Sequence, residues 1–367
     1  MATAQELSPA EVLAHRFRVQ SLASRVEDGD ELAVLDVGVQ DTPPGSAALA
    51  LRARLRPGAA VGAETCLLWS IRGAPHVHRR ADVAALVTAL RPRDGADLAA
   101  RLGGQADIVP SQGADGVAVL DDVAQAMRDV AGRRAIGKPE LSTGVTELLG
   151  DRVTRWCERC GSRHVPDALF RLAALPAGLV LEPGAATVLR RQSWPRGRRR
   201  DGAWLARRFV EVLGPATRAG FAAWLGTTPA HARPSWDAVA GDLTPLRAGG
   251  ATLWAAGDVR PGDTSGVVRL LPPRDPFLAG CDRDLLVGDR RRRAAVWRPV
   301  GSPGVVVEDG VVRGIWRHRG KGDVLTVTVT PFGRVTKTLR AALEEEATEV
   351  ARSRGHASAR LTTERGA

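Results

Sequence analysis

Residues 204–254 read WLARRFVEVLGPATRAGFAAWLGTTPAHARPSWDAVAGDLTPLRAGGATLW. Trp204 to Leu213 reads as a helix. Gly214-Pro215 ends it and starts the next, Ala216 to Leu225. Thr227-Thr228-Pro229 opens a third helix, which runs to about Val239. Leu246 to Trp254 then reads as a wing strand, with Gly249-Gly250 at its turn. Three short helices followed by a wing is the winged-helix order.

The same order is fainter upstream. Ser8-Pro9-Ala10-Glu11 is a capping box with Pro at the first helical position. The helix it opens should stop near Ser24. A strand-like apolar run, Leu32 to Val39, leads into Gln40-Asp41-Thr42-Pro43-Pro44-Gly45, a rigid turn. Ala47 to Leu55 reads as helix. Cys66 to His78 reads as a hairpin turning at Gly73-Ala74-Pro75. Ala81 to Leu90, Asp121 to Val130 and Glu140 to Leu148 read as helices. No sequence identity links the two halves, so any repeat is architectural.

From about Val267 the chain turns to β. Asp309-Gly310 is a hairpin signal, and Val324 to Thr330 alternates as a strand. Gly333 to Arg352 reads as a closing helix, with the last dozen residues frayed. The expected fold is α+β: tandem winged-helix units with a C-terminal small β-barrel-like part. The segments are 1–135 and 136–262 (winged-helix units), 263–340 (β-rich), and 341–367 (helix and tail).

The chain has 367 residues and a formal charge of +11. Residues 1–100 hold 11 basic and 12 acidic side chains, so the surplus lies beyond them. It concentrates at 187–220, at Arg290 to Arg293, and between Arg313 and Arg340. Trp194, Trp204, Trp297 and Trp316 lie near these clusters. Arginines of this kind suit a phosphate backbone, through their planar fork and through counterion release. The preference for Arg over Lys fits a GC-rich genome, which does not explain the excess of base over acid. No apolar run reaches the roughly 20 residues of a membrane span. The N-terminus lacks a secretory h-region. Four cysteines make no disulfide framework. A cytoplasmic monomer that binds double-stranded DNA, without a membrane and without a cofactor, is the expectation. A ligand-sensing regulator would need a dimer interface, and no heptad run supplies one. No RNA-binding signature is present.

Chemistry-bearing motifs are few. No serine-hydrolase elbow, Walker loop or zinc-protease motif occurs. Cys157-Glu158-Arg159-Cys160 with His164 offers three soft ligands. Structural zinc takes four, and no second pair supplies the last. Two reduced cysteines in a turn, with no metal, is the expectation, and zinc is the alternative. His76 and His78 alternate along one strand beside Arg72, Arg79 and Arg80, so they share a face that suits phosphate or a structural polar surface. Gln40-Asp41 places an amide beside a carboxylate before a stiff turn. That pair suits a water held for attack on a sugar C1′. An Asx-type cap is the alternative, which residue physics alone favours.

Six pieces in order carry a family resemblance: Gly38-Val39-Gln40-Asp41 with Arg52; Trp69 to His76; Cys160-Gly161 with His164 and Phe170-Arg171; Gly214 to Thr217 with Phe221 and Trp224-Leu225; Leu271-Pro272 with Asp275-Pro276; and Asp309-Gly310 with Gly314 and Trp316. Across roughly residues 10–340 the chain resembles the winged-helix DNA-binding proteins related to the AlkZ and YcaQ DNA glycosylases. The resemblance implies tandem winged-helix units around a concave DNA-binding face. It also implies excision of alkylated purines or unhooking of interstrand crosslinks. In that chemistry a Gln-aliphatic-Gln or Gln-aliphatic-Asp triplet holds the attacking water. Gln40 fills the second polar slot, with Asp41 assisting, while Gly38 stands in the first. A non-catalytic DNA-binding or regulatory protein is the alternative. The candidate DNA contacts are Arg52, Arg72, His76, His78, Arg198, Arg199, Arg200, Arg291 and Arg292.

Overall fold

A computed structural model of the protein describes residues 5–61, 64–109, 114–184, 187–194, 200–280 and 282–364. The chain forms a mixed α/β architecture of two compact units, each built from separated stretches of sequence. One comprises residues 1–63, 208–217 and 242–367; the other comprises 64–207 and 218–241.

The first unit is organised by an open five-stranded sheet. Its order is Val268–Leu271, Gly304–Glu308, Val311–Lys321, Val324–Pro331, Ser358–Thr363. The first three pairings are antiparallel and the last is parallel. A parallel pair needs a crossover, and the helix Lys337–Ser353 provides it. Asp309 and Gly310 both take positive φ, as a tight hairpin turn requires.

Strand side chains alternate between faces, so this sheet sorts its own core. Leu270, Val306, Leu325 and Val327 pack with Leu339, Leu343, Ala347 and Val350 of the crossover helix. Leu271, Val305 and Val307 face the other way. They pack with Leu13 and Phe17 of the helix Pro9–Val19 and with Phe277. That first helix carries the expected capping box: the Ser8 hydroxyl accepts from the Glu11 N–H at 3.2 Å, and the Glu11 carboxylate accepts from the Ser8 N–H at 2.8 Å. A separate small sheet pairs Thr244–Ala248 with Ala251–Ala255 around Gly249 and Gly250. The strand Gln5–Leu7 joins it in parallel.

Three expectations change here. The C-terminal β region is an open sheet rather than a barrel-like closure: among the described residues Val268–Leu271 and Ser358–Thr363 are its edges. Residues 358–363, expected frayed, form one of those edge strands, because the crossover helix returns the chain beside Val324–Pro331. Leu32 to Val39 is mostly not extended. Val34–Val37 is a short helix, and Leu32, Val34, Leu35 and Val37 are all buried. A run buried on every side has no alternation to tell strand from helix.

In the second unit, strands run in the order Pro75–Arg79, Thr65–Trp69, Leu179–Leu181, Val188–Arg191, Ala135–Gly137. The helices Ala118–Ala131, Lys138–Leu149 and Asp167–Ala174 share a core with them that includes Trp69, Leu120, Met127, Leu141, Phe170 and Leu189. The helices Arg218–Leu225 and Pro229–Ala240 pack on each other through Phe221 and Trp236.

The deepest polar contact lies in the first unit. Arg54 and Asp275 have fully buried side chains and meet through two hydrogen bonds of 2.9 and 2.7 Å. Arg54 also donates to the Ala50 carbonyl at 2.6 Å and to the Gln20 side chain at 3.1 Å. Asp275 also accepts from the Phe277 N–H at 2.9 Å. Removing one partner strands the other charge in a dry core. Asp275→Ala is therefore expected to cost about 3–5 kcal/mol in urea unfolding. The double variant Arg54→Met with Asp275→Leu should lose clearly less. An Asp275→Ala loss under about 1 kcal/mol would contradict this account.

Candidate functional site

The segment from Gly38 to Gly45 joins the short helix Val34–Val37 to the helix Ser46–Arg52. Gly38 has φ +81° and ψ 140°, a conformation in which side chains are strained and glycine is not. Val39 is fully buried and anchors the segment. Gln40 and Asp41 are half-buried. Among the described residues no hydrogen bond engages the Gln40 amide. Asp41 is engaged: its Oδ1 accepts from the Ala47 N–H at 2.9 Å. The carboxylate thus caps the helix Ser46–Arg52, where a negative charge also meets the positive end of the helix dipole. Gly45 at the N-cap position has no side chain to offer.

Arg354 closes over this turn and donates to the Pro44 carbonyl at 3.3 Å. A Cβ on Gly45 would lie 2.2 Å from its Nη1, so the glycine permits the approach. Burial lowers the pKa of Arg354, against which the Asp41 charge pulls upward. Its Nε is buried and unpaired among the described residues. On the hairpin strand Val311–Lys321, partial burial and the positive charges of Arg354 and His356 hold His318 below the usual imidazole range. The turn and the hairpin are therefore within electrostatic reach of one another through Arg354. The hairpin exposes Arg317, Arg319 and Lys321 as well as His318.

The other residues singled out from sequence scatter. Arg52 is a clamp that donates to the Ala59 and Arg56 carbonyls at 2.8 and 3.2 Å. Arg291 and Arg292 are exposed at the start of the helix Arg290–Val296, where Arg292 donates to the Phe332 carbonyl at 3.0 Å. In the second unit, Arg72 sits at φ 56° and donates to the Trp224 carbonyl at 2.8 Å. Arg200 stacks on Trp204, 5.1 Å from its ring centre. Arg198 and Arg199 lie outside the described residues. His76 and His78 do share a face, with ring centres 5.9 Å apart, but it is an inward one. His76 is 4% exposed and His78 0%, so neither presents an imidazole to a partner in this conformation. His78 meets the Ser70 hydroxyl at 2.9 Å, and His76 the Ala74 carbonyl at 2.9 Å. Burial, reinforced slightly by Arg72, pushes the His76 pKa down to about 3.

A cavity of about 270 Å³ in the second unit is lined largely by Leu90, Leu120, Leu172 and Leu175, with Arg72 and Arg101 at its polar side. It offers no carboxylate or amide side chain to hold a water. Cys157, Cys160 and His164 do converge, their ligand atoms all within 4.8 Å of one another. The Cys157 thiol is pulled down to about 7, first by the Cys160 N–H and then by His164.

Sequence reasoning missed Arg354 altogether. It lies more than 300 residues from the turn it covers, and its one signal was Gly45, a glycine in an otherwise ordinary helix start.

What emerges is a mixed α/β protein with a basic hairpin beside an amide–carboxylate turn. Its fold is similar to that of the Streptomyces sahachiroi DNA glycosylase AlkZ, with a TM-score of 0.73 over 98% of this chain and 100% of that one. Identity is 20%, so the likeness is one of fold. The family model "DNA glycosylase AlkZ-like" matches residues 36–353, and the chain belongs to that family. No curated protein matches it by sequence.

The buried His76 generates a pH dependence. Its folded pKa, about 3, lies below the unfolded value of about 6.5. Between these values the unfolded chain binds the extra proton, so stability is full above pH 6.5 and falls as the pH drops. The His76 contribution between pH 7 and 5 is about 2 kcal/mol. Urea midpoints measured across that range should fall less steeply for His76→Gln. An unchanged slope would rule out a neutral His76.

Proposed function

We propose that the protein is a DNA glycosylase that hydrolyses the N-glycosidic bond of alkylated purines, including those in interstrand crosslinks. The observation that carries this reading is the Gln40 amide. It is half-buried, uncommitted among the described residues, and held on a backbone fixed by Gly38 on one side and the Asp41 cap on the other. An amide accepts from one water O–H and donates to the water oxygen, which orients a lone pair without deprotonating it. That is sufficient where the leaving purine already carries positive charge. Asp41 acts as a positioning residue, and its charge beside Gln40 offsets the positive charge that builds on the sugar.

The DNA contacts are proposed at the exposed hairpin arginines Arg317 and Arg319, at Arg291 and Arg292, and at the basic cluster reaching Arg200. Basic residues at a helix N-terminus oppose the helix dipole, so Arg290 and Arg291 are poorly explained by stability, whereas Arg292 and Arg293 also tie the helix to Phe332 and Asp284. Residues 202–255 supply three helices and a hairpin in winged-helix order, and we read 1–135 and 136–262 as the regions holding such units. The working form is a monomer on duplex DNA in the cytoplasm. No described helix is long and apolar enough to cross a membrane.

Gly38 favours a second reading, DNA binding without excision, because one of two water-positioning groups is missing. The two readings separate in an excision assay on duplex carrying N7-alkylguanine or a nitrogen-mustard crosslink. Abasic sites should form, and Gln40→Ala should slow them about 10²-fold or more while leaving DNA affinity unchanged. Intact binding with no base release would leave the second reading standing. Affinity should fall steeply with salt, with log–log slope about −0.9 per neutralised phosphate, and Arg317→Ala with Arg319→Ala should make it shallower. A flat salt dependence would rule out phosphate-dominated binding.

A further inference from the structure

The strands Arg155–Cys157 and Ser162–His164 form a two-stranded hairpin of three residue pairs that joins no larger sheet. Most of its residues are exposed, and Trp156 is 53% exposed. Isolated hairpins of this size are marginal in water, because they bury too little to offset chain ordering. This one's side chains supply surface ties only: Arg155 pairs with Asp107, and Arg163 pairs with Asp151 at 2.8 Å and donates to the Thr154 carbonyl at 3.2 Å.

The turn brings three soft ligands to the place where a staple would act. Cys157 ends the first strand, Cys160 lies in the turn, and His164 ends the second strand. The Cys157 carbonyl accepts from the N–H groups of Cys160 and Gly161 at 3.1 and 2.9 Å, which curls the turn back over the Cys157 side chain. Gly161 takes φ +60°, the left-handed value such a curl needs. His164 Nδ1 is committed to the Val165 carbonyl at 2.8 Å. That bond puts the proton on Nδ1 and leaves the Nε2 lone pair as the coordinating site, the usual arrangement for a ligating histidine. Nε2 is buried, and the Cys157 thiol is the one group it meets among the described residues. Both cysteines are free thiols.

We infer that Cys157, Cys160 and His164 form a Cys2His site for zinc, with water in the fourth position, and that the metal pins the 155–164 hairpin. Two sulfurs and an imidazole select a soft divalent ion over magnesium or calcium. Zn–S bonds of about 2.3 Å and Zn–N bonds of about 2.0 Å require edges of about 3.5–3.8 Å between tetrahedral ligand atoms. The three atoms already lie within 4.8 Å of one another, so side-chain rotation alone closes the site. Binding releases the two thiol protons to solvent. Exposure of Cys160 leaves one side open to water, so the ligand set is complete without a second cysteine pair. The inference does not depend on whether the protein excises bases.

The test uses the full chain, purified reduced and without chelator. Elemental analysis should find one zinc per chain. Replacement with Co²⁺ should give thiolate-to-metal charge-transfer absorption in the near ultraviolet and the strong visible bands of a tetrahedral ion. Cys157→Ser and Cys160→Ser should each abolish stoichiometric binding, while Cys66→Ser, a change in a buried strand elsewhere, should not. Zinc should also protect the 155–164 hairpin from limited proteolysis, and EDTA should remove the protection. If either serine variant fails to fold, the cobalt spectrum of the wild-type chain decides alone. A fully reduced chain that takes up no zinc and shows no charge-transfer band overturns the site. So does a Cys157–Cys160 disulfide that survives in the presence of zinc and reductant.

Discussion

The Arg54–Asp275 pair is the contact on which the first unit turns. It joins positions 221 residues apart, both fully buried. Through Arg54 it reaches Gln20, just past the first helix, and Ala50, inside the helix Ser46–Arg52. Gln20 in turn donates to the Val212 carbonyl at 3.1 Å. One guanidinium therefore fixes the far end of the helix whose near end is capped by Asp41. Where Gln40 sits is set by both ends: a buried ion pair behind it and a carboxylate cap in front. Breaking either end would loosen the segment without touching Gln40 itself.

The same unit uses arginine as an internal clamp several times over. Arg16 is 2% exposed and reaches Asp282 and the Pro215 carbonyl. Arg25 pairs with Glu346. Arg269 lies 3.7 Å from the same carboxylate, and burial pushes its pKa down to about 10. In the second unit Arg101 closes on buried Asp97 at 3.0 Å. Guanidinium suits this work because it stays charged and its planar fork meets carboxylates and carbonyls at several points. The positive excess of the chain therefore divides in two. Part is consumed inside the fold, and part, at Arg291, Arg317 and Arg319, faces solvent.

That division explains what sequence could and could not reveal. Local signals read well: the Ser8–Glu11 capping box, the Asp309-Gly310 turn and the long helix around Asp121 to Val130 all depend on neighbours in the chain. Non-local pairings did not read. The strands Gln5–Leu7 and Ser358–Thr363 are short and only one-third apolar, and partners far away in sequence make them strands. His76 and His78 were placed on one face by alternation, but alternation does not say which face meets water. Arg52 and Arg54 look alike in sequence. One is half-buried and clamps a loop, and the other is the centre of a dry ion pair. The family resemblance reached the family and its overall fold because its pieces are local, while Arg354 carries no local mark.

Gly38 sharpens the question of the turn. Where the resemblance would put a glutamine, the backbone takes φ +81° and ψ 140°. A glutamine would be strained in that conformation. The cap from Asp41 and the cover from Arg354 hold the segment in place. Any water-directed chemistry in this turn then rests on one amide, carried on a held backbone and without a twin. Such an amide works best on a leaving group that needs no protonation. A purine already made cationic by alkylation is that kind of leaving group, so the simplified turn narrows the proposed substrates rather than contradicting them.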